Sequence, residues 1–583
     1  MRKTHKTHSI EIHLFFVAMA ALTVFVFLLF PITDNDIWWH MAGGKVILEN
    51  LRIPQAEIFS YSAAGEPWHI NSWIFDALSY IVYKLAGLNG LNILKAAIGA
   101  LTFVLIALYL RQKKALNYFS LLFIVAAIFS VRDGFSLRPH TFSYLIFVIF
   151  LILRFKYRER KTYKLIISLA LLQLFWVNFH SYFLWGIALS GIILVSETVK
   201  NRRIEKKDIV LAVSIFIASL LYAAYGYNHL LGTLRGYFLS FDSGNAQIRE
   251  HLPPSFETFL SLLGLILLSW FIVLYFGYRE KRFDLLFMAG MFGFAGMTAV
   301  RSLRDLVLFL CLAAPPYFSK ISFPRLPRIP QTAQAALFSL SLLIFLAWAK
   351  NSSPGIGLGL SKFTYPVEAA EFIKNEQLLE KSGGNLYNTY NFGGYLLWKI
   401  YPKQVFIDSR MQPYVEKVFQ IYWKNFEGGD VWRGSIEKYN ITIAIMILPH
   451  TDGKTVFNDS LKMFPAEKWA LIYYDDVATI YTKRIPALDD VVQKYEYKII
   501  NPQMMNLNYL PEKIQSQEDW ERAMNEIKMG LEINPESYRL HFTLAYLYGM
   551  VGAEEKLKEA LQRTLKINPQ FQAAKEILDQ VSK

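Results

Sequence analysis

The sequence predicts a polytopic α-helical membrane protein that carries a small α/β domain and a tail of helical repeats after its last span. Three observations predict it. Long apolar runs recur through the first 350 residues of a chain that is 54% hydrophobic and 16% aromatic, too apolar for a soluble protein of 583 residues. After Lys350 those runs stop, and short apolar strand patterns alternate with amphipathic helical ones. Near the C-terminus LEINPE (531–536) recurs as LKINPQ (565–570).

A membrane-spanning helix needs about 20 mostly apolar residues. Candidates lie near 12–31, 91–110, 116–131, 141–154, 164–179, 182–198, 208–225, 256–277, 283–300, 304–319 and 332–349, eleven in all. The first follows a basic N-terminus but is long and lacks a small-residue cleavage site, so it reads as an uncleaved span. With the N-terminus cytoplasmic, the loops RKTHK, RQKK, RFKYRERKTYK, KNRRIEKK, REKR and KISFPRLPR hold 23 Lys and Arg, against ten in the loops of the other side. That bias sets the orientation. It also accounts for the net charge of +14 without a nucleic-acid partner. The single cysteine, Cys311, excludes an internal disulfide and a cysteine metal cluster.

The first 350 residues thus form the membrane domain, with a first outer loop at 32–90. Within that loop, apolar residues from Ile37 to Leu51 recur at helical spacing. The stretch SWIFDALSYIVYKLA (72–86), which contains Asp76 and Lys84, is too short and too charged to span. Both are expected as juxtamembrane helices. NSSPGIGLGLSK is a linker, and 351–490 is expected to be an α/β domain with strands in GNLYNTY, QVFIDSR, ITIAIMIL, ALIYYDD and VATIYTK. Eleven spans put this domain outside the cytoplasm. Residues 491–583 form a helical tail. Its Asn-Pro pairs lie 34 residues apart, with small residues Ala545, Gly552 and Ala560 at packing positions, which is the tetratricopeptide pattern. Such repeats bind protein partners.

Chemistry is concentrated at the outer ends of the spans. TDNDIWWHMAGG begins just past the first span and offers Asp34 and Asp36. Helix capping explains carboxylates there as well, and interfacial tryptophans need no other reason to be present. Opposite them stand Arg132, Arg138, Arg235, Arg249, Arg301 and Arg304, on loops of the outer side that contain no Lys. An arginine fork grips phosphate oxygens in pairs, whereas lysine is a point charge. His140, His180 and His251 add donors at the same level. This set suits an anionic lipid. A carboxylate facing such a cluster suits transfer of a sugar from a lipid phosphate, the carboxylate taking the acceptor proton and the arginines stabilising the departing phosphate.

The order of first helix, acidic motif, long outer loop, many spans and outer C-terminal domain resembles the membrane-embedded C-type glycosyltransferases (GT-C). Within that class, DNDIWWHMAGGKVILENLRIPQAEIFSYSAAGEPWHINSWIFDALSY, SLRPHTFSY (136–144) and YNFGGYLLWKIYPKQVFIDSR (390–410) are similar to a group of bacterial polytopic proteins. The resemblance covers about residues 1 to 410. It implies Asp36 or Asp34 as catalytic base, with a second acidic residue near Glu57 or Asp76. It further implies a polyprenyl-phosphate-linked sugar as donor; the residues that would grip its phosphate, from the donor chemistry above, are Arg138, His140, Arg301, Arg304, Arg132, Arg249 and His180. Trp38, His40 and Trp68 are the substrate-facing candidates. Asp34 and Asp36 also suit a hard divalent ion such as magnesium or manganese, though two carboxylates are few ligands. Asp408 and Arg410 read as an ion pair at a turn.

The implied function is that of an inverting glycosyltransferase of the inner membrane, acting at the outer face on a glycan, lipid or protein acceptor. Two rivals remain: a lipid-linked glycan ligase or polymerase, whose large outer loop is expected late in the chain, and a non-catalytic anchor that presents the repeat tail. A transporter would show paired broken helices in two halves, and no such symmetry is present.

Overall fold

The computed structural model describes residues 2–239, 252–318, 320–321, 330–352, 354–410, 412–414, 416–448, 460–502 and 507–582. The chain divides into two compact units. The first comprises Met1–Asp34, Gly43–Ile53 and Ile70–Leu360; the second comprises Asn35–Ala42, Pro54–His69 and Ser361–Lys583.

In the first unit each of the eleven apolar stretches is helical, from Arg2–Leu28 through Pro139–Glu159 to Gln331–Asn351. Among the described residues four helices are long and apolar enough to cross a membrane: Trp73–Gln112, Pro139–Glu159, Ser181–Lys200 and Thr332–Asn351. Shorter apolar helices include Leu14–Leu28, Tyr118–Ser130 and Phe283–Thr298. Large apolar side chains such as Leu171, Leu268 and Phe294 point out of the packed unit, as befits a membrane protein, whose exterior faces lipid.

The stretch 72–86 differs from expectation. It is no separate helix but the first half of Trp73–Gln112, and continues into the next apolar stretch through a break at Gly87 (φ 61, ψ −159). Only glycine takes that conformation without strain, so the chain bends there without a loop. The end of the first helix is secured by its own unit. Asn92 Nδ2 and Lys95 Nζ both donate to the Phe30 carbonyl, at 2.8 and 2.9 Å. Gly357 N donates to Leu29 O and Ile32 N to Gly359 O, each at 2.9 Å. Carbonyls that a helix end leaves unpaired are thereby satisfied, and most of the presumed linker is a fixed strap.

The second unit is built on a four-stranded sheet of order β1-β2-β4-β3, with β1 Asn385–Asn388, β2 Ile441–Ile447, β3 Trp469–Tyr474 and β4 Ala478–Lys483. β1 and β2 are parallel, joined by helices that include Tyr390–Lys399 and Gly429–Tyr439. The other pairings are antiparallel. β2 reads ITIAIMI and is buried on both faces almost throughout, the pattern of a covered strand. An aromatic core of Tyr387, Phe406, Tyr422, Trp432 and Trp469 packs against it.

QVFIDSR, expected as a strand, is not one. Val405 makes only isolated bridges, to Ser60 and Leu386, and the segment is otherwise fixed by side chains. Asn388 Nδ2 donates to Ile407 O at 2.7 Å and Asn388 Oδ1 accepts from Phe406 N at 2.9 Å.

The C-terminal stretch forms helices Gln517–Ile533, Tyr538–Met550, Glu554–Ile567 and Gln572–Val581, each packed on the next. Two buried acids tie them to the sheet. Asp476 accepts from Ser537 Oγ and from the N–H groups of Tyr538 and Arg539, at 2.7 to 3.1 Å. Glu526 accepts from the backbone of Lys498, Ile499 and Ile500.

Candidate active site

In the first unit a tight turn sets the site. Arg132–Gly134 is a 3-10 turn, and Arg138 takes an extended conformation as N-cap of the helix that Pro139 opens. Proline suits that position because its missing N–H would have no partner there anyway. Arg138 Nε lies 2.5 Å from Asp34 Oδ2, and Asp34 is buried. At the second position of the helix, His140 Nε2 lies 2.8 Å from Gly134 O. A carbonyl can only accept, so Nε2 carries the proton.

Gly134 is required for the same arrangement, because a Cβ on it would overlap the Arg304 side chain. Arg304, Arg138 and His180 all lie close enough to His140 to act on it electrostatically. Ser143 orients His180. Its hydroxyl accepts from Trp176 Nε1 at 3.1 Å and shares a hydrogen bond of 3.0 Å with His180 Nδ1. Arg301 and Arg304 both act on Tyr182 and on buried Asp305, their spacing of three residues placing them on one side of the chain as it turns into the helix Leu303–Ala313.

Five of the expected cations and donors therefore come together with Asp34: Arg138, His140, His180, Arg301 and Arg304. Arg132 does not join them. Its Nη1 donates to Ser352 Oγ at 2.5 Å, its Nε to Phe27 O at 3.3 Å, and its guanidinium lies over the rings of Phe27 and Phe30, so it fixes the strap. Arg249 and His251 lie outside the described residues.

Three residues were not anticipated. Tyr144 and Tyr182 flank the histidines, Tyr144 with its ring 5.5 Å from that of His140. Lys95 is buried and acts electrostatically on Asp34 and Arg132. A lysine inside an apolar run is a signal the sequence does carry.

The remaining candidates belong to the second unit. Asp36 stands immediately before the helix Ile37–Asn50, and its carbonyl accepts from His40 N at 3.1 Å. Trp38 is buried, edge-on to Tyr365 and Tyr395 at 5.2 and 4.8 Å. His40 and Trp68 are buried too. The Trp68 ring lies 4.5 Å from the Arg410 guanidinium, which also carries two acids. Arg410 contacts Asp408 Oδ2 at 2.6 Å and Glu57 Oε2 at 2.8 Å, and Tyr414 OH donates to Asp408 at 2.6 Å. Burial opposes the Arg410 charge, but Asp408 and Glu57 outweigh it and hold the guanidinium well above its usual value. Burial likewise pushes the Glu57 carboxyl up, against the pull of Arg410. Trp38 and Trp68 are thus committed to packing, and Glu57 to an internal ion cluster. Asp76, the other acid weighed with Glu57, is buried in the first unit and accepts from Ser72 Oγ at 3.1 Å.

No family model and no curated protein matches the chain. Similar solved structures include two of one enzyme. One is the oligosaccharyltransferase of Archaeoglobus fulgidus in the apo form, at 13% identity and a TM-score of 0.53, covering 77% of this chain and 71% of that one. The other is the same enzyme tethered to an acceptor peptide containing the NVT sequon, at 14% identity and a TM-score of 0.51, covering 81% and 74%. The chain shares the fold of these structures.

The Asp-x-Asp pair Asp34 and Asp36 suits a hard divalent ion by its chemistry. Asp34 fits that role poorly, because Arg138 already neutralises it. Glu197, Glu205 and Asp208 are the acids grouped closely enough for an ion among the described residues, and Lys161 bridges all three, at 3.3, 2.9 and 2.7 Å.

Proposed function

We propose that the protein is an inverting membrane glycosyltransferase that moves a sugar from a polyprenyl-phosphate donor to an acceptor at the outer face of the membrane. The observation that supports this best is the gathering of Arg138, Arg304, His140 and His180 around one turn, with Asp34 bound to Arg138. Such a site holds more fixed cations than acids, which is what a departing lipid phosphate needs.

In this reading Asp36 is the base. Asp34 is engaged by Arg138; its role is to hold the Arg138 fork in place. The acceptor hydroxyl loses its proton to Asp36 and bonds to the anomeric carbon. The bond from that carbon to the phosphate oxygen breaks, the electron pair leaving with the lipid phosphate, and the anomeric centre inverts. The C-terminal helices would serve as tetratricopeptide repeats that dock a protein partner.

A second reading has one observation in its favour. The two similar structures named above are of an oligosaccharyltransferase, one of them tethered to an acceptor peptide, so a donor carrying an oligosaccharide and a peptide acceptor are the first variants to try.

The test is transfer from a synthetic polyprenyl-phosphate sugar by Arg138→Lys, Arg301→Lys and Arg304→Lys variants. Each keeps the charge and loses the fork, so turnover should drop by about tenfold or more. Full activity in all three would reduce the arginines to headgroup contacts, where either residue contributes about 1 kcal/mol.

A further inference from the structure

The helix Pro139–Glu159 carries a second cationic group at its other end. Arg154, Arg158 and Arg282 surround the single carboxylate of Asp284. Arg282 takes both Asp284 oxygens, Nε and Nη2 each at 3.0 Å, and Arg158 Nε stands 3.3 Å from Oδ2. That leaves Arg154 3.8 Å away. Arg154 is 1% exposed. Its Nε reaches Leu189 O at 3.5 Å, but neither Nη1 nor Nη2 finds a hydrogen-bond acceptor among the described residues. Buried guanidinium donors are costly to leave unmet.

These nitrogens border a cavity of about 10 Å³, lined also by Tyr157, Arg158, Lys161, Ile193, Ser196, Glu197 and Asp284. Its acids are occupied. Glu197 binds Lys161, Asp284 is held by Arg282, Tyr157 donates outward to Asp208 at 2.9 Å, and Ser196 donates to its own helix. The space admits one oxygen-sized atom, and Arg158, about one quarter exposed, forms its rim.

We propose that this cavity receives one oxygen of a phosphate group, with the rest of the group resting on Arg158. Sixteen residues of helix separate Arg154 from Arg138, about 24 Å along the axis, close to the roughly 30 Å of a bilayer core. The cavity then stands level with the headgroups of the leaflet opposite the candidate active site. Its phosphate comes from a phospholipid there or from free phosphate. The inference does not depend on the proposed activity.

The experiment uses the purified full-length protein in two arms. Native mass spectrometry after reconstitution with phosphatidylglycerol, and separately with diacylglycerol, reads a retained phospholipid. Thermal unfolding in detergent with and without inorganic phosphate reads the free anion. One retained phosphatidylglycerol and no retained diacylglycerol is the expected result. Arg154→Gln and the rim variant Arg158→Gln should each weaken retention by about tenfold, while Arg279→Gln, an exposed cation at the end of the helix Phe256–Arg279, leaves it unchanged. Stabilisation by inorganic phosphate that Arg158→Gln abolishes, without a lipid adduct, supports the same site with a free ligand. Neither a lipid adduct nor a phosphate effect sensitive to Arg154 or Arg158 overturns the proposal and leaves the cavity to water.

Discussion

Asp34 and Asp36 differ by two positions and by their surroundings. Asp34 is buried against Arg138, whereas Asp36 is half-buried at the head of a helix. Replacing Asp36 by Asn keeps size and removes basicity, so transfer should fall by roughly 100-fold or more with expression unchanged; near-normal transfer would reassign the base. Asp34→Asn should impair transfer less, and chiefly through donor affinity, since it frees the Arg138 fork. A different residue-level outcome belongs to Arg410. Arg410→Met strands Glu57 and Asp408 in the core and should cost about 3–5 kcal/mol, read as a lowered thermal midpoint in detergent. Adding Glu57→Gln and Asp408→Asn should restore most of it. Residue pairing was legible in the sequence for Asp408 with Arg410, two apart. The share taken by Glu57 was not, because 353 positions separate it from Arg410 and no local pattern reports such a contact. Nor could the sequence separate Arg132 from Arg138: both are outer-side arginines, and only the path of the strap past Phe27 shows which one it claims.

Among the elements, apolar runs located the helices of the first unit, because a stretch that must satisfy its backbone in lipid has few other options, though not the continuity of Trp73–Gln112 through Gly87. They failed where the backbone is satisfied by side chains. QVFIDSR has strand composition, but Asn388 supplies its hydrogen bonds in place of a neighbouring strand. The turn between β3 and β4 shows what a short polar segment does. Asp475 accepts from Val477 N and Ala478 N at 2.7 Å and from Tyr473 OH at 2.8 Å. Burial nevertheless pushes its carboxyl from 3.8 up to about 6. A carboxyl raised in the folded state stays protonated there after the unfolded chain has ionised, so its contribution to stability is lost as pH rises from about 4 to about 6. Asp475→Asn retains the acceptor oxygen and cannot ionise. The variant should therefore gain stability relative to the parent across that interval, by about 2–3 kcal/mol, measured as the pH dependence of the difference in unfolding midpoint. A flat difference would mean that the turn opens to water.

At the scale of the whole molecule the positive-inside argument makes a claim of sidedness. Cysteines introduced at Lys403 and Gln517 should react with an impermeant reagent from outside the cytoplasm, and one at Lys206 only after permeabilisation. The reverse result for the two C-terminal positions would require an even number of crossings. Lys403 and Gln517 must behave alike, because both belong to the compact unit that holds the sheet and the C-terminal helices.

Asp476 has a consequence for the order in which that unit is made. It caps the helix Tyr538–Met550 from a position 62 residues earlier in the chain. At roughly 5–20 residues per second of synthesis, the hairpin that presents this carboxylate leaves the ribosome several seconds before the helix does. The helix therefore meets its cap ready-made, and its first turn has no need to wait for the repeats that follow. An Asp476→Ala chain would lose that template, and pulse-chase proteolysis of nascent chains should show the segment after 537 protected late, even where the finished protein reaches the same structure.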